Sequence, residues 1–205
     1  MFSESSTQAM ISPSDVTAIV LAAGLSRRHL DSDKLLRNLH DKPLAMHIAD
    51  SLKAIPFQDR IAIVAKDNSE LAGLFSERRF TVTPNSEPSR GQGHSLALGV
   101  KCALMGKPPK ALLICLADMP YIPPDVIERL IQGLNSGATA AICSTDDQVS
   151  PPALFSTSHF DDLAHLEGER GAKTLLQDIP DLLKVKVAPH HLRDFDTEQD
   201  FLSPY

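Results

Sequence analysis

Apolar positions recur in two patterns along this chain, and their alternation predicts its architecture. Short continuous apolar runs mark buried strands at Val16–Leu21, Ile61–Ala65 and Ala111–Ala117. Between and after them, apolar residues fall at helical spacing. One such stretch follows Pro43 to about Ala54. Another runs from Asn68, a suitable N-cap, through Phe75. A polar loop over 85–95, holding the glycines of GQGHS, opens a third helix through Met105, which Gly106, Pro108 and Pro109 stop. Phe80–Thr83 reads as a short strand ending at Pro84. Pro123 and Pro124 open a helix to about Asn135. Ala138–Cys143, Pro152–Phe155 and Leu183–Val187 read as later strands, with helices over 158–165 and 171–178 and a brief terminal helix capped by Thr197. This βαβ alternation, without a repeat or a long linker, predicts an α/β fold. It is a single three-layer, Rossmann-like domain over 15–205 around a mostly parallel sheet, preceded by a flexible tail over 1–14.

Composition narrows the function classes. In 205 residues, 42% are hydrophobic, enough for one sizeable core, and the net charge of −6 argues against nucleic acid or a membrane surface as partner. Cys102, Cys115 and Cys143 are far apart with no CxxC, so buried thiols are expected rather than disulfides or zinc. The N-terminal stretch lacks a secretory pattern, and no later segment is long and apolar enough to span a bilayer. A cytoplasmic protein is expected.

Ligands of parallel sheets bind beyond the carboxyl ends of the strands, and the chemically suggestive residues fall at such ends. After Leu21 come Ala22, Ala23 and Gly24, small enough for another molecule to approach the backbone. Ser26, Arg27, Arg28 and Lys34 follow. Loop N–H groups with Arg and Lys suit a triphosphate, although an ordinary strand-to-loop corner with solvated basic residues has the same composition. Neither a P-loop nor a GxGxxG follows the strand. Asp118 ends the most apolar run, where a carboxylate needs compensation. It is a candidate Mg²⁺ ligand, and equally a helix cap or an ion-pair partner. Asp196 is a second candidate. His94, His190 and His191 lack zinc-site spacing, and no GxSxG supports serine hydrolysis.

The blocks LAAGLSRR with Lys34-Leu35-Leu36, GQGHSLALG, LADMPYI, PPALF, EGERGAKTLL and DFDT occur in this order over about 16–200. Together they resemble the nucleotidyltransferases related to molybdenum cofactor cytidylyltransferases and guanylyltransferases, the MobA-like NTP transferases. The resemblance implies transfer of a nucleotidyl group with Mg²⁺ to the terminal phosphate of a molybdopterin-type acceptor, releasing pyrophosphate. A molybdenum hydroxylase is an implied recipient. Within it, Asp118 and Asp196 hold the metal. Arg28 contacts the outgoing phosphates and Lys34 the α-phosphate. Leu21, Ala22, Ala23, Gly24, Ser26, Gly93 and Ser95 frame the nucleotide.

The chain departs from the family pattern at His29-Leu30, where Met-Gly is usual, and at Ser150, where Gly is frequent. In this family AAG loops accompany pyrimidine nucleotides and AGG loops GTP, so Ala23, whose Cβ narrows the room for a purine, favours CTP over GTP. Two rivals stand beside this reading: transfer to another phosphorylated small molecule, and a non-catalytic nucleotide- or cofactor-binding delivery protein.

Overall fold

The computed structural model describes residues 10–24 and 33–202. Its central strand, β1 (Val16–Ala22), is buried at all seven positions. Its side chains alternate between two cores. Val16, Ala18, Val20 and Ala22 enter one; Ile19, Leu21 and, just past the strand, Ala23 enter the other. A strand covered on both faces favours apolar and β-branched side chains at every position, and its one hydroxyl, on Thr17, is buried with the rest.

A small hairpin, β2 (Asn38–Leu39) and β3 (Lys42–Pro43), leads into α1 (Leu44–Lys53). Then come β4 (Asp59–Ala65), α2 (Ser69–Glu77), β5 (Thr81–Asn85), α3 (Gln92–Leu104), β6 (Ala111–Leu116), α4 (Pro124–Asn135), β7 (Ala140–Ser144) and β8 (Val149–Ser156). The chain continues through α5 (Phe160–Ala164), α6 (Lys173–Gln177), β9 (Leu183–Lys186) and α7 (Glu198–Leu202). Seven strands form the main sheet in the order β5-β4-β1-β6-β8-β7-β9. Every pairing is parallel except the two that β8 makes. Helices α1, α2 and α4 fill one face and α3, α5 and α6 the other. The expected three-layer, mostly parallel architecture is therefore what forms. Among the described residues no helix is long and apolar enough to cross a membrane.

The differences from the sequence pattern have physical reasons. Strand β5 continues through Pro84 to Asn85; it is an edge strand, where a missing N–H is tolerated. Strand β8 is longer than the expected 152–155. Its Pro151 and Pro152 fall where the β7 register jumps from Ile142↔Ala153 to Cys143↔Ser150, a bulge that needs no donor from them. The helix expected over 158–165 is a 3-10 turn followed by α5. Asn68 caps α2 as expected, accepting the Leu71 N–H at 3.1 Å. Thr197 does not act as a side-chain cap of this kind. Its hydroxyl donates to Asp200 at 2.7 Å, and the same carboxylate oxygen accepts the backbone N–H groups of Asp196 and Thr197. Part of the expected tail lies outside the described residues, but Ile11 is held by its backbone to the Asn135 side chain at 2.7 and 2.9 Å. Ordered contacts thus begin before residue 15. Cys115 and Cys143 are buried, and burial pushes the Cys143 thiol up to about 12.

Gly99 sets how closely α3 lies on the sheet. A Cβ there would meet Ile19 Cγ2 at 2.7 Å and the Ile63 side chain at 3.3 Å. Replacing a helical Gly by Ala ordinarily stabilises by about 1 kcal/mol. Here overpacking against two β-branched side chains opposes that gain, and such strain costs about 1–3 kcal/mol. Gly99→Ala is expected to lower the midpoint of urea unfolding; a raised midpoint would show that the sheet yields freely.

Candidate active site

At the carboxyl end of the sheet, Lys34 joins two carboxylates from distant parts of the chain. Its Nζ donates to Asp118 Oδ2 at 2.8 Å and to Asp196 Oδ1 at 2.7 Å. The Lys34 and Asp118 side chains are 16% and 22% exposed and Asp196 is 50% exposed, so the cluster opens to solvent on the Asp196 side.

Each member is held by its neighbours in sequence. Asp33 accepts the Leu35 N–H at 2.9 Å and is also bonded by the Asn68 side-chain amide, which ties the segment to the start of α2. Leu35 is buried in the core, and its carbonyl accepts the Ala45 N–H at 3.2 Å. Lys34 thus projects from a fixed backbone. Asp118 stands two residues beyond β6, and Ala117 remains tied to Leu21 by a 3.1 Å hydrogen bond. In the DFDT block, Phe195 is fully buried beside Tyr121 and Phe201, and its N–H donates to the Asp118 carbonyl at 3.2 Å. Burying the aromatic residue between two aspartates leaves Asp194 and Asp196 at the rim.

Both readings of Asp118 meet in this arrangement. Its Oδ2 is an ion-pair partner, as one alternative required, while its Oδ1 is buried and has no hydrogen-bond partner among the described residues. An orphaned buried carboxylate oxygen is costly unless a further donor or a cation serves it. The residues therefore fit a hard divalent cation, for which carboxylate oxygens are preferred ligands. Among the described residues no group of three or more His, Cys, Asp or Glu gathers as a metal site.

The electrostatics follow the same geometry. Burial disfavours the Lys34 ammonium, but Asp118 and Asp196 outweigh it and its pKa ends raised. Asp194, absent from the sequence-based candidates, is raised by burial first and then by the charges of Asp196 and Asp118.

The other predicted residues are placed differently. Leu21 lines a cleft of about 710 Å³ on the α3 face, floored by Leu96, Ile114, Leu116, Ile142 and Ala153, with Arg170, Lys173 and Lys184 also at its walls. Ala22 and Ala23 are buried in opposite cores, whereas a Cβ on Gly24 would meet no atom of the described residues within 4 Å. Ala23 is 2% exposed and packs with the Leu21 and Leu96 cluster. Its Cβ therefore lies in the core, and the direct narrowing of a base pocket by that methyl is not how the structure places it. Ser26 and Arg28, with the His29-Leu30 departure, lie outside the described residues.

Gly93 and Ser95 make internal contacts. The Gly93 N–H donates to the Gly168 carbonyl at 2.8 Å, and the Gly168 N–H returns to the Arg90 carbonyl at 3.1 Å. A Cβ on Gly93 would come within 2.7 Å of the Glu167 carbonyl oxygen, and one on Gly91, at φ +94°, within 2.5 Å of Gly168. Ser95 Oγ accepts from the buried Asn85 amide at 3.0 Å. These residues fix the start of α3 against the 167–171 loop, whose Glu169 and Arg170 wall the cleft. The contact was not foreseen, although the two glycines of EGERG were a signal for it.

The chain matches the MobA-like NTP transferase domain over residues 18–185 and belongs to that family. It is similar to a molybdenum cofactor guanylyltransferase of Cupriavidus pinatubonensis, 30% identical over 167 residues, covering 78% of this chain and 80% of the relative. A molybdenum cofactor guanylyltransferase of Shewanella putrefaciens is 32% identical over 144 residues, 70% of each chain. The chain also matches bifunctional GlmU proteins but spans only 29–30% of their length. Among solved structures, Rv0371c of Mycobacterium tuberculosis superposes with a TM-score of 0.80 at 24% identity, covering 94% of this chain and 97% of that one. Its complex with manganese superposes at 0.75 with 22% identity, covering 91% and 96%.

Asp194 supplies a pH-dependent test of the site's charge. Its folded-state pKa lies above the ordinary 3.8. Its contribution to stability is complete below that value and is lost as pH rises through the raised one. Asp194→Asn is therefore expected to raise the melting temperature at neutral pH, with the gain vanishing as the pH falls below 3.8. An unchanged or lowered melting temperature at neutral pH contradicts the charge crowding.

Proposed function

We propose that this chain transfers CMP from CTP to the terminal phosphate of a molybdopterin-type acceptor. The observation that carries the reading is the convergence of Lys34, Asp118 and Asp196 at the strand ends, with one Asp118 oxygen buried and unpartnered among the described residues. A phosphate oxygen of the acceptor attacks the α-phosphorus in line. The bond from that phosphorus to the bridging oxygen breaks, and pyrophosphate leaves with the electron pair. The protein's work is alignment and charge stabilisation.

In this reading Asp118 and Asp196 hold Mg²⁺, which when bound withdraws charge from the phosphate oxygens. Lys34, on its fixed backbone, moves its ammonium to the α-phosphate, where negative charge grows. Arg28 takes the outgoing phosphates. The open backbone at Gly24 receives the nucleotide, and the start of α3, held by Gly93 and Ser95, frames it. The apolar cleft entered beside Leu21, with Arg170, Lys173 and Lys184 on its walls, suits a flat acceptor bearing an anionic group. Its product would pass to a molybdenum hydroxylase.

The family's AAG loop supports CTP. GTP is the second reading, favoured by the guanylyltransferase names of two relatives at 30–32% identity. Incubation with Mg²⁺, molybdenum cofactor and an equal mixture of CTP and GTP, followed by mass analysis, separates them. A CMP adduct is expected, a GMP adduct assigns the chain to the second reading, and neither adduct contradicts the acceptor.

Asp118→Asn tests the metal role. Asp118→Asn removes a negative charge from the carboxylate pair that would hold the ion, and losing even one preorganised donor to transition-state charge costs about 10²–10³ in turnover. The variant is expected to lose at least this much in pyrophosphate release while still melting cooperatively. Retained Mg²⁺-dependent turnover would falsify the assignment.

A further inference from the structure

We propose that Lys34 is an internal counter-cation that holds the divalent-metal position until a nucleotide draws it away. The proposal rests on the metal-dependent transfer read above and extends it to the order in which cations occupy the site. The Lys34 ammonium lies 2.8 Å from Asp118 Oδ2 and 2.7 Å from Asp196 Oδ1. A Mg²⁺ ion bonded to both carboxylates would sit about 2.0–2.1 Å from its oxygens. The ammonium and the ion cannot both stand between the same pair of oxygens, so an ion at that point requires Lys34 to withdraw from at least one of them.

The structure supplies both halves of such an exchange. Asp118 Oδ1, buried and without a partner among the described residues, offers the ion a ligand on the carboxylate that Lys34 already grips. The backbone beneath Lys34 stays anchored through Asp33 and Leu35, while its flexible four-carbon stem lets the ammonium swing. With Lys34 in place, the three side chains carry one net negative charge, a weak lure for a free cation. A triphosphate gives the ammonium another anionic partner and gives the metal its remaining ligands. Metal and nucleotide then bind cooperatively, each raising the affinity of the other by the same factor. A free ion on its own competes with Lys34 and binds poorly.

The test reads Mn²⁺ binding from the electron paramagnetic resonance signal of the free ion, with no acceptor present. Lys34→Met removes the charge while keeping an unbranched stem. Without nucleotide, this variant is expected to bind Mn²⁺ about tenfold or more tightly than the unaltered protein, because a like charge at contact distance is gone. CTP should then raise Mn²⁺ affinity strongly in the unaltered protein and much less in the variant. Equal or weaker Mn²⁺ binding by nucleotide-free Lys34→Met overturns the proposal. A second measurement needs no variant: the unaltered protein binding Mn²⁺ as tightly without CTP as with it also overturns it. Neither result depends on turnover, so failure to modify a molybdopterin acceptor would overturn the transfer reading and leave this one standing.

Discussion

One ammonium shared by two carboxylates is the contact on which the end of the sheet depends. Asp118 is carried to the rim by a strand buried on both faces, and an unpaired charge in that position would be costly. Asp196 and Asp194 arrive beside it from a segment near the chain's end, which adds like charge rather than relief. Lys34 answers this crowding from a third segment. The pairings span 84 and 162 residues of sequence, so the cluster exists only when the whole domain is folded.

Apolar side chains do the positioning. Leu35 and Phe195, both buried, flank the charged residues and pin their backbones into the same core that α1, α2 and α4 share. On the opposite face, the start of α3 is clasped to the 167–171 loop, and the cleft opens between them. Leu21 and Leu116 are register partners at the end of the β1–β6 ladder and both line that cleft. The charged rim and the apolar cleft thus meet at one strand pair, an arrangement in which two reactants can be brought together from different faces.

Much of this was legible in the sequence, and the reasons differ by residue. The continuous apolar runs of β1 and β6 announced buried parallel strands, and the strand-end positions of Asp118 and Lys34 followed from them. The charge partners of these residues did not, because pairing across such separations is set by tertiary packing. The reversed direction of β8 was hidden because Pro151 and Pro152 obscure a strand whose bulge excuses them from the ladder. Gly93 was read only as part of the nucleotide's frame, and the Glu167 backbone that fills the place of its missing Cβ was not foreseen. Ala23 was read as a pocket wall and is part of the core. For Ala23 the small side chain was noted and the neighbours that required it were not. Asp194 escaped notice because its significance lies in the two other carboxylates beside it.

In the proposed site, Asp118 and Asp196 receive a divalent ion while Lys34 serves the nucleotide's phosphate. The most direct test is anomalous diffraction at the manganese edge from crystals grown with Mn²⁺ and a CTP analogue that cannot be cleaved between the α and β phosphates. A manganese peak bonded to Asp118 Oδ1 and to Asp196 is expected, with the Lys34 ammonium moved onto the α-phosphate. A bound analogue with Lys34 still bridging the two carboxylates, and manganese on neither of them, would contradict it.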